Sequence, residues 1–288
     1  MDKIQLQKDI EEVIKKYCQT DDIRHLGIEY AEYARTFPFT NENLFELYHK
    51  LMKDRYHSAL TVLSSGDHAF NLIYHDVMQI DTFDCNRITE YYSLGFKKTA
   101  LEILDFEEFC DLFKQYNPSI ERYVIDALPE KYKMFWQHFL DARKEVTESP
   151  SVFDLARGKN TRYAKKYNYY FNKTCFNNLK SKLKEANITF TCVDIKDAPE
   201  NFQKYDLIML STILNYCSEI LGMTIREAVA LVEKFYYNNL KDLGELFYGY
   251  KYIYSEEIDD IFENINFGRK LTREVNGGIA VCIQKGSD

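Results

Sequence analysis

Over the first fifty or so residues the apolar positions recur at helical spacing, with Ile10, Val13, Ile14 and Tyr17 followed by Leu44, Leu47, Tyr48 and Leu51. That spacing predicts an N-terminal helical segment. Thr40, Glu42 and Asn43, just after Pro38, give a helix start, and the stretch before it clusters Tyr30, Tyr33, Arg35 and Phe37 as core or as a lid over a flat ring. The pattern changes at 59–63, where Ala-Leu-Thr-Val-Leu is short, unbroken and apolar. Such a run reads as a central parallel strand covered on both faces. A turn with a single glycine follows at Ser64-Ser65-Gly66-Asp67, then a helix over 70–77 and a second strand over 79–84. An amphipathic helix is predicted over 87–104, its apolar side formed by Ile88, Tyr91, Tyr92, Phe96, Ala100, Leu101 and Leu104.

The strand-helix alternation lapses over 105–185, where helical patterns are broken at Asn117-Pro118 and carry the only tryptophan, Trp136. This stretch is expected to be a helical insertion covering one end of the sheet. Alternation resumes with strands over 188–193 and 205–211, a helix over 224–240, a strand over 245–254 and a helix over 255–262 capped by Ser255. Strands over 267–275 and 279–284 flank Asn276-Gly277-Gly278, a strong hairpin signal. The chain therefore reads as α/β, with an N-terminal helical segment (1–57) and one Rossmann-like domain (58–288) interrupted by the insertion.

Composition narrows the partners. A net charge of −8 argues against binding nucleic acid by blanket phosphate neutralisation. The basic run Arg157, Lys159, Arg162, Lys165 and Lys166 is either a solvated helix face or an anion contact. Seven scattered cysteines show neither a Cys-x-x-Cys pair nor zinc spacing, so no metal is expected. The first ten residues lack an apolar signal core, and no run approaches the ~20 apolar residues of a membrane span. A cytoplasmic, soluble protein is the expectation.

Asp84 ends the second strand eighteen positions after Gly66 (84 minus 66), close to the spacing at which a strand-turn-helix-strand unit presents a carboxylate to a ribose. Five strand-helix units closed by an antiparallel hairpin resemble the seven-stranded class I S-adenosylmethionine-dependent methyltransferase fold, whereas nicotinamide-binding domains do not normally end in such a hairpin. Four segments resemble the betaine-lipid 3-amino-3-carboxypropyltransferase family: 62–67 with Asn71; 83–86 followed by Lys97-Lys98; Phe106-Glu107-Glu108-Phe109; and 205–216. Phe135-Trp136 and 155–158 resemble that family's helical region. The resemblance implies an S-adenosylmethionine-dependent transferase that moves a 3-amino-3-carboxypropyl group to a small-molecule or lipid-like acceptor. Methyl transfer is the alternative, and the thin glycine loop leaves open a non-catalytic S-adenosylmethionine-binding module.

Each part of that co-substrate asks for a different residue type. Asp84 suits the ribose diol, since a carboxylate accepts two hydroxyl protons, and Asn86 adds a donor. Asp194 resembles the residue that meets the adenine amino group, with Ile195 packing on the ring. Ser64, Ser65, Gly66 and Asp67 are expected to line the methionine portion, Asp67 taking the ammonium, with Asn71 pointing to the same end. Ser211, Thr212 and Asn215 follow the fourth strand, where the reacting group and acceptor belong. His68 is the candidate base, Tyr216 or Tyr163 a hydrogen-bonding partner of the acceptor, and Arg157 and Arg162 suit an acidic acceptor or the carboxylate of the transferred chain.

Overall fold

The computed structural model describes residues 3–26, 31–40, 42–51, 56–156, 168–214, 222–251, 256–275 and 278–286. Among them, β1 (Ser58–Val62), β2 (Gln79–Asp84), β3 (Asn187–Cys192), β4 (Tyr205–Met209), β5 (Leu240–Lys251), β6 (Arg269–Val275) and β7 (Gly278–Gln284) form one sheet. Its order is 3-2-1-4-5-7-6. The pairs up to β5 are parallel, and β7 runs antiparallel to both β5 and β6. This is the seven-stranded class I methyltransferase-like Rossmann arrangement, closed by the hairpin that the sequence announces.

Successive residues of β1 feed opposite sides of the sheet, as a period of two requires. Ala59 joins a core with Ile80, Leu207 and Met209, while Leu60 and Val62 join another with Phe83, Ile208 and Leu246. The first core continues without a break into the N-terminal helices and the insertion. There, α1 (Lys3–Tyr17) lies against α7 (Glu130–Arg143), and Trp136 donates its indole N–H to the Tyr91 carbonyl at 3.2 Å. The second core lies beneath the helices Ala198–Asn201, Ile225–Asn239 and Glu256–Asn264.

Several boundaries differ from the sequence expectation for identifiable reasons. The helix after the glycine turn, α3 (Asp67–Tyr74), starts three residues earlier than expected because Gly66, at φ 78°, turns the chain directly into it. The expected helix over 87–104 is a π-helix (Glu90–Lys97) followed by α4 (Lys98–Ile103). The helical pattern after residue 118 splits into α6 (Pro118–Asp126) and α7, with Pro129 at the start of the second. Asn117 caps the first of these, accepting from Ser119 and Ile120 amides, as its pairing with a proline suggests. The fifth strand begins at Leu240 instead of 245, and its register against β4 shifts between Tyr205 and Leu207. A Cβ on Gly244 would lie 2.8 Å from the Lys241 carbonyl and 2.9 Å from that of Asp206, so the bulge selects glycine. Ser255 and Asn276-Gly277 lie outside the described residues, although Gly278 opens β7. No helix among the described residues is long and apolar enough to cross a membrane.

Candidate functional site

The carboxyl ends of β1 and β2 are tied together by one carboxylate. After β1 the backbone turns sharply, with Ser64 at φ 43° and Gly66 at φ 78°. A Cβ on Gly66 would stand 2.8 Å from the Phe70 ring and 3.0 Å from the Ser93 Cβ, so both the conformation and the space require glycine. The Ser64 amide donates to Asp84 Oδ2 at 3.0 Å, and the Asn86 amide donates to Asp84 Oδ1 at 2.9 Å. Burial pushes the Asp84 pKa up to about 6, although the amide donors and the adjacent Cys85 pull it down. Desolvation wins because the carboxylate sits in the crease between two loops.

A strap from the N-terminal segment, residues 31–40, runs across these strand ends. The Glu32 carbonyl accepts from the Arg87 amide at 2.7 Å, and the Ala34 carbonyl accepts from Asn86 Nδ2 at 2.8 Å. Thr36 bridges to Ala156 of the insertion, and Pro38 accepts from Lys97 Nζ at 2.9 Å. Tyr33 does not act as a lid: its hydroxyl donates to the buried Asp9 at 2.8 Å, which Tyr91 also reaches at 2.6 Å.

Three expected ligand residues turn out to be braces. Asp67, 1% exposed, accepts from Lys97 Nζ and the Tyr170 hydroxyl, and from the Thr40 amide at 2.5 Å. Its carboxylate is therefore inside the protein and not open to a ligand ammonium. Asn71 donates to the Asp67 carbonyl at 2.6 Å and to Asn168 at 2.8 Å, and accepts from the Tyr169 amide at 2.9 Å, fixing α3 to the insertion. The Asn86 side chain holds the strap through Ala34 and accepts from the Ile88 amide at 3.1 Å. Ser65 is buried and gives its carbonyl to Lys97 at 3.0 Å.

At the other strand ends, Asp194 is half-buried and accepts from the Lys196 amide at 2.9 Å. Ile195 belongs to the second core, which removes it as an open platform for a ring. Ser211, at φ 57°, donates its hydroxyl to Glu42 Oε1. Glu42 Oε2 lies 2.7 Å from His68 Nε2, and His68 Nδ1 lies 2.6 Å from the Tyr48 hydroxyl. His68 is thus a buried link in a chain that surfaces at Ser211, beside the half-buried Thr212. Asn215, Tyr216, Arg157, Arg162 and Tyr163 lie outside the described residues.

Glu42 and Lys97 are groups at these strand ends to which the sequence reading gave no site role, naming the first only at a helix start and the second only within a resembling segment. Lys97 carried a signal, because it stands three residues before Ala100 and four before Leu101 on the apolar side of its helix. Glu42 carried none beyond its place near a helix start. Among the described residues, no group of three or more His, Cys, Asp or Glu side chains is arranged to hold a metal ion.

No family model and no curated protein sequence matches the chain. Among solved structures, the N-methyltransferase NodS from Bradyrhizobium japonicum WM9 is similar over 86% of this chain and 94% of its own, with 8% identity and a TM-score of 0.35.

Proposed function

We propose that the chain is an S-adenosylmethionine-dependent transferase. The observation that carries this reading is Asp84: a carboxylate at the carboxyl end of β2, hydrogen-bonded to the glycine turn after β1, in a sheet of order 3-2-1-4-5-7-6. Ligands of open α/β sheets bind outside the carboxyl ends of the strands, at the point where strand order reverses, which is between β1 and β4. An ionised carboxylate offers about four acceptor positions. The Ser64 and Asn86 amides occupy one on each oxygen, and a vicinal diol suits what remains. Asp194 would meet the adenine edge, and the turn at Ser64 to Gly66 with the first turn of α3 would face the methionine carboxylate.

Bound S-adenosylmethionine supplies a carbon joined to positively charged sulfur. The chain's own task is to hold that carbon in line with an acceptor and exclude water. We assign the transferred group as 3-amino-3-carboxypropyl and the acceptor as a small or lipid-like molecule. This finer assignment is supported by the motif resemblance at 62–67, 83–86 and 205–216. Incubating the purified chain with S-adenosylmethionine and a cell extract of small molecules and lipids tests it. Methylthioadenosine is the expected coproduct; adenosylhomocysteine would mean methyl transfer, and neither would indicate a binding module.

The pKa of Asp84 sets a pH dependence. A diol bonds to the ionised carboxylate, and in the unliganded protein a proton competes for it below about pH 6. Affinity for S-adenosylmethionine is therefore expected to be level above pH 7 and to fall roughly tenfold by pH 5. Calorimetry across this range checks it, and Asp84→Asn should flatten the profile.

A further inference from the structure

We propose that Glu42 is the specificity-determining residue that reads the positive charge of the co-substrate, favouring the cationic sulfonium over the neutral thioether left after transfer. The inference rests on the S-adenosylmethionine reading and adds a role that the fold does not itself require. Glu42 is 2% exposed, yet its carboxylate is hydrogen-bonded to Ser211, the second residue past the end of β4. The β1–β4 register pairs Thr61 with Met209, so Ser211 continues alongside Leu63, one residue before the turn at Ser64. The Glu42 carboxylate is thus enclosed behind Ser211 at the switch between β1 and β4, and it would act on the co-substrate through Ser211 and the local field, not by contact.

A hydrogen-bond chain fixes both oxygens of this carboxylate. In the tautomer that lets the Tyr48 hydroxyl donate to His68 Nδ1, Nε2 donates to Glu42. Ser211 donates to the other carboxylate oxygen. In that arrangement every donor of the chain meets an acceptor, and each oxygen of the Glu42 carboxylate receives one hydrogen bond. Ser211 adopts the left-handed conformation, which is uncommon outside glycine, and it is in that conformation that its hydroxyl meets Glu42. A full negative charge at a site shielded from water discriminates strongly between a cation and a neutral group of similar shape.

Calorimetry on the full chain with three ligands tests this: S-adenosylmethionine, S-adenosylhomocysteine, whose sulfur is neutral, and sinefungin, which carries an ammonium near the sulfonium position. The wild type is expected to bind both cationic ligands at least about tenfold more tightly than S-adenosylhomocysteine. Glu42→Gln should bring the ratio close to one by weakening the cationic ligands, leaving S-adenosylhomocysteine within about threefold. Glu42→Asp, which keeps the charge, should retain most of the preference. A Glu42→Gln protein that loses affinity for all three ligands by the same factor would show a structural role only and overturn the proposal. If that variant does not fold, the wild type decides: equal affinity for the three ligands sinks the Glu42 assignment alone, whereas no binding of any of them sinks the S-adenosylmethionine reading beneath it.

Discussion

Lys97→Met is expected to lower the unfolding free energy by about 3–5 kcal/mol, the usual cost of removing one member of a buried ion pair. Lys97 and Asp67 are both fully enclosed, and the ammonium also donates to the Pro38 and Ser65 carbonyls at 2.9 and 3.0 Å. It lies 4.3 Å from the centre of the Phe39 ring, which adds a cation–π contact. Burial lowers the lysine pKa, and the Asp67 charge works against that fall. Methionine matches the length of the stem but leaves the Asp67 carboxylate with only the Tyr170 hydroxyl and the Thr40 amide among these donors. The loss should show as a reduced midpoint in urea denaturation, with little change in slope. The double variant Asp67→Asn/Lys97→Met should recover a large part of it, because no uncompensated charge remains. A single variant within about 1 kcal/mol of the wild type would mean that Lys97 is not a keystone beneath the glycine turn.

This pair shows where sequence reading stops. The strands were legible because their burial is local: 59–63 is a continuous apolar run, and the final hairpin carries its own turn chemistry. Gly66 was legible for the same reason, since its conformation is dictated by neighbours in the chain and by Phe70, four residues on. The polar architecture of the site was not. Glu42 meets a serine 169 positions away, and Asn71 meets Asn168 and Tyr169 across 97 and 98 positions. No periodicity encodes such partners, so the sequence showed polar residues at strand ends without showing which face the ligand and which hold the protein together. Asp67, Asn71 and Asn86 were expected to touch a ligand because they flank the turn. The structure gives them to the strap and the insertion, elements whose return to the strand ends no local pattern predicts. The π-helix was missed for a related reason. Its residues have ordinary helical composition, and its wider turn becomes visible only where Ser93 reaches the Ser64 carbonyl at 2.8 Å and Lys97 reaches Ser65.

Asp84→Asn should weaken S-adenosylmethionine binding by about 100-fold, the equivalent of losing about 3 kcal/mol from two hydrogen bonds to a charged acceptor. The substitution is close in shape and retains one oxygen, so an amide from either Ser64 or Asn86 still finds an acceptor while the other meets an amide donor. Some disturbance of the glycine turn is therefore built into the variant, and a fall of a few degrees in melting temperature is expected alongside the affinity loss. A second pair of ligands separates the two effects. The wild type should prefer adenosine to 2′,3′-dideoxyadenosine, because only the former presents hydroxyls to the carboxylate. Asp84→Asn should bind both equally if Asp84 reads the diol, whereas a disturbed loop would weaken both and leave the preference intact. Dissociation constants from calorimetry for S-adenosylmethionine and from ligand-observed NMR for the nucleosides give both ratios. An affinity for S-adenosylmethionine within threefold of the wild type, or a preserved preference for adenosine, would remove Asp84 from the binding site. The assignment of the whole crease between β1 and β2 would go with it.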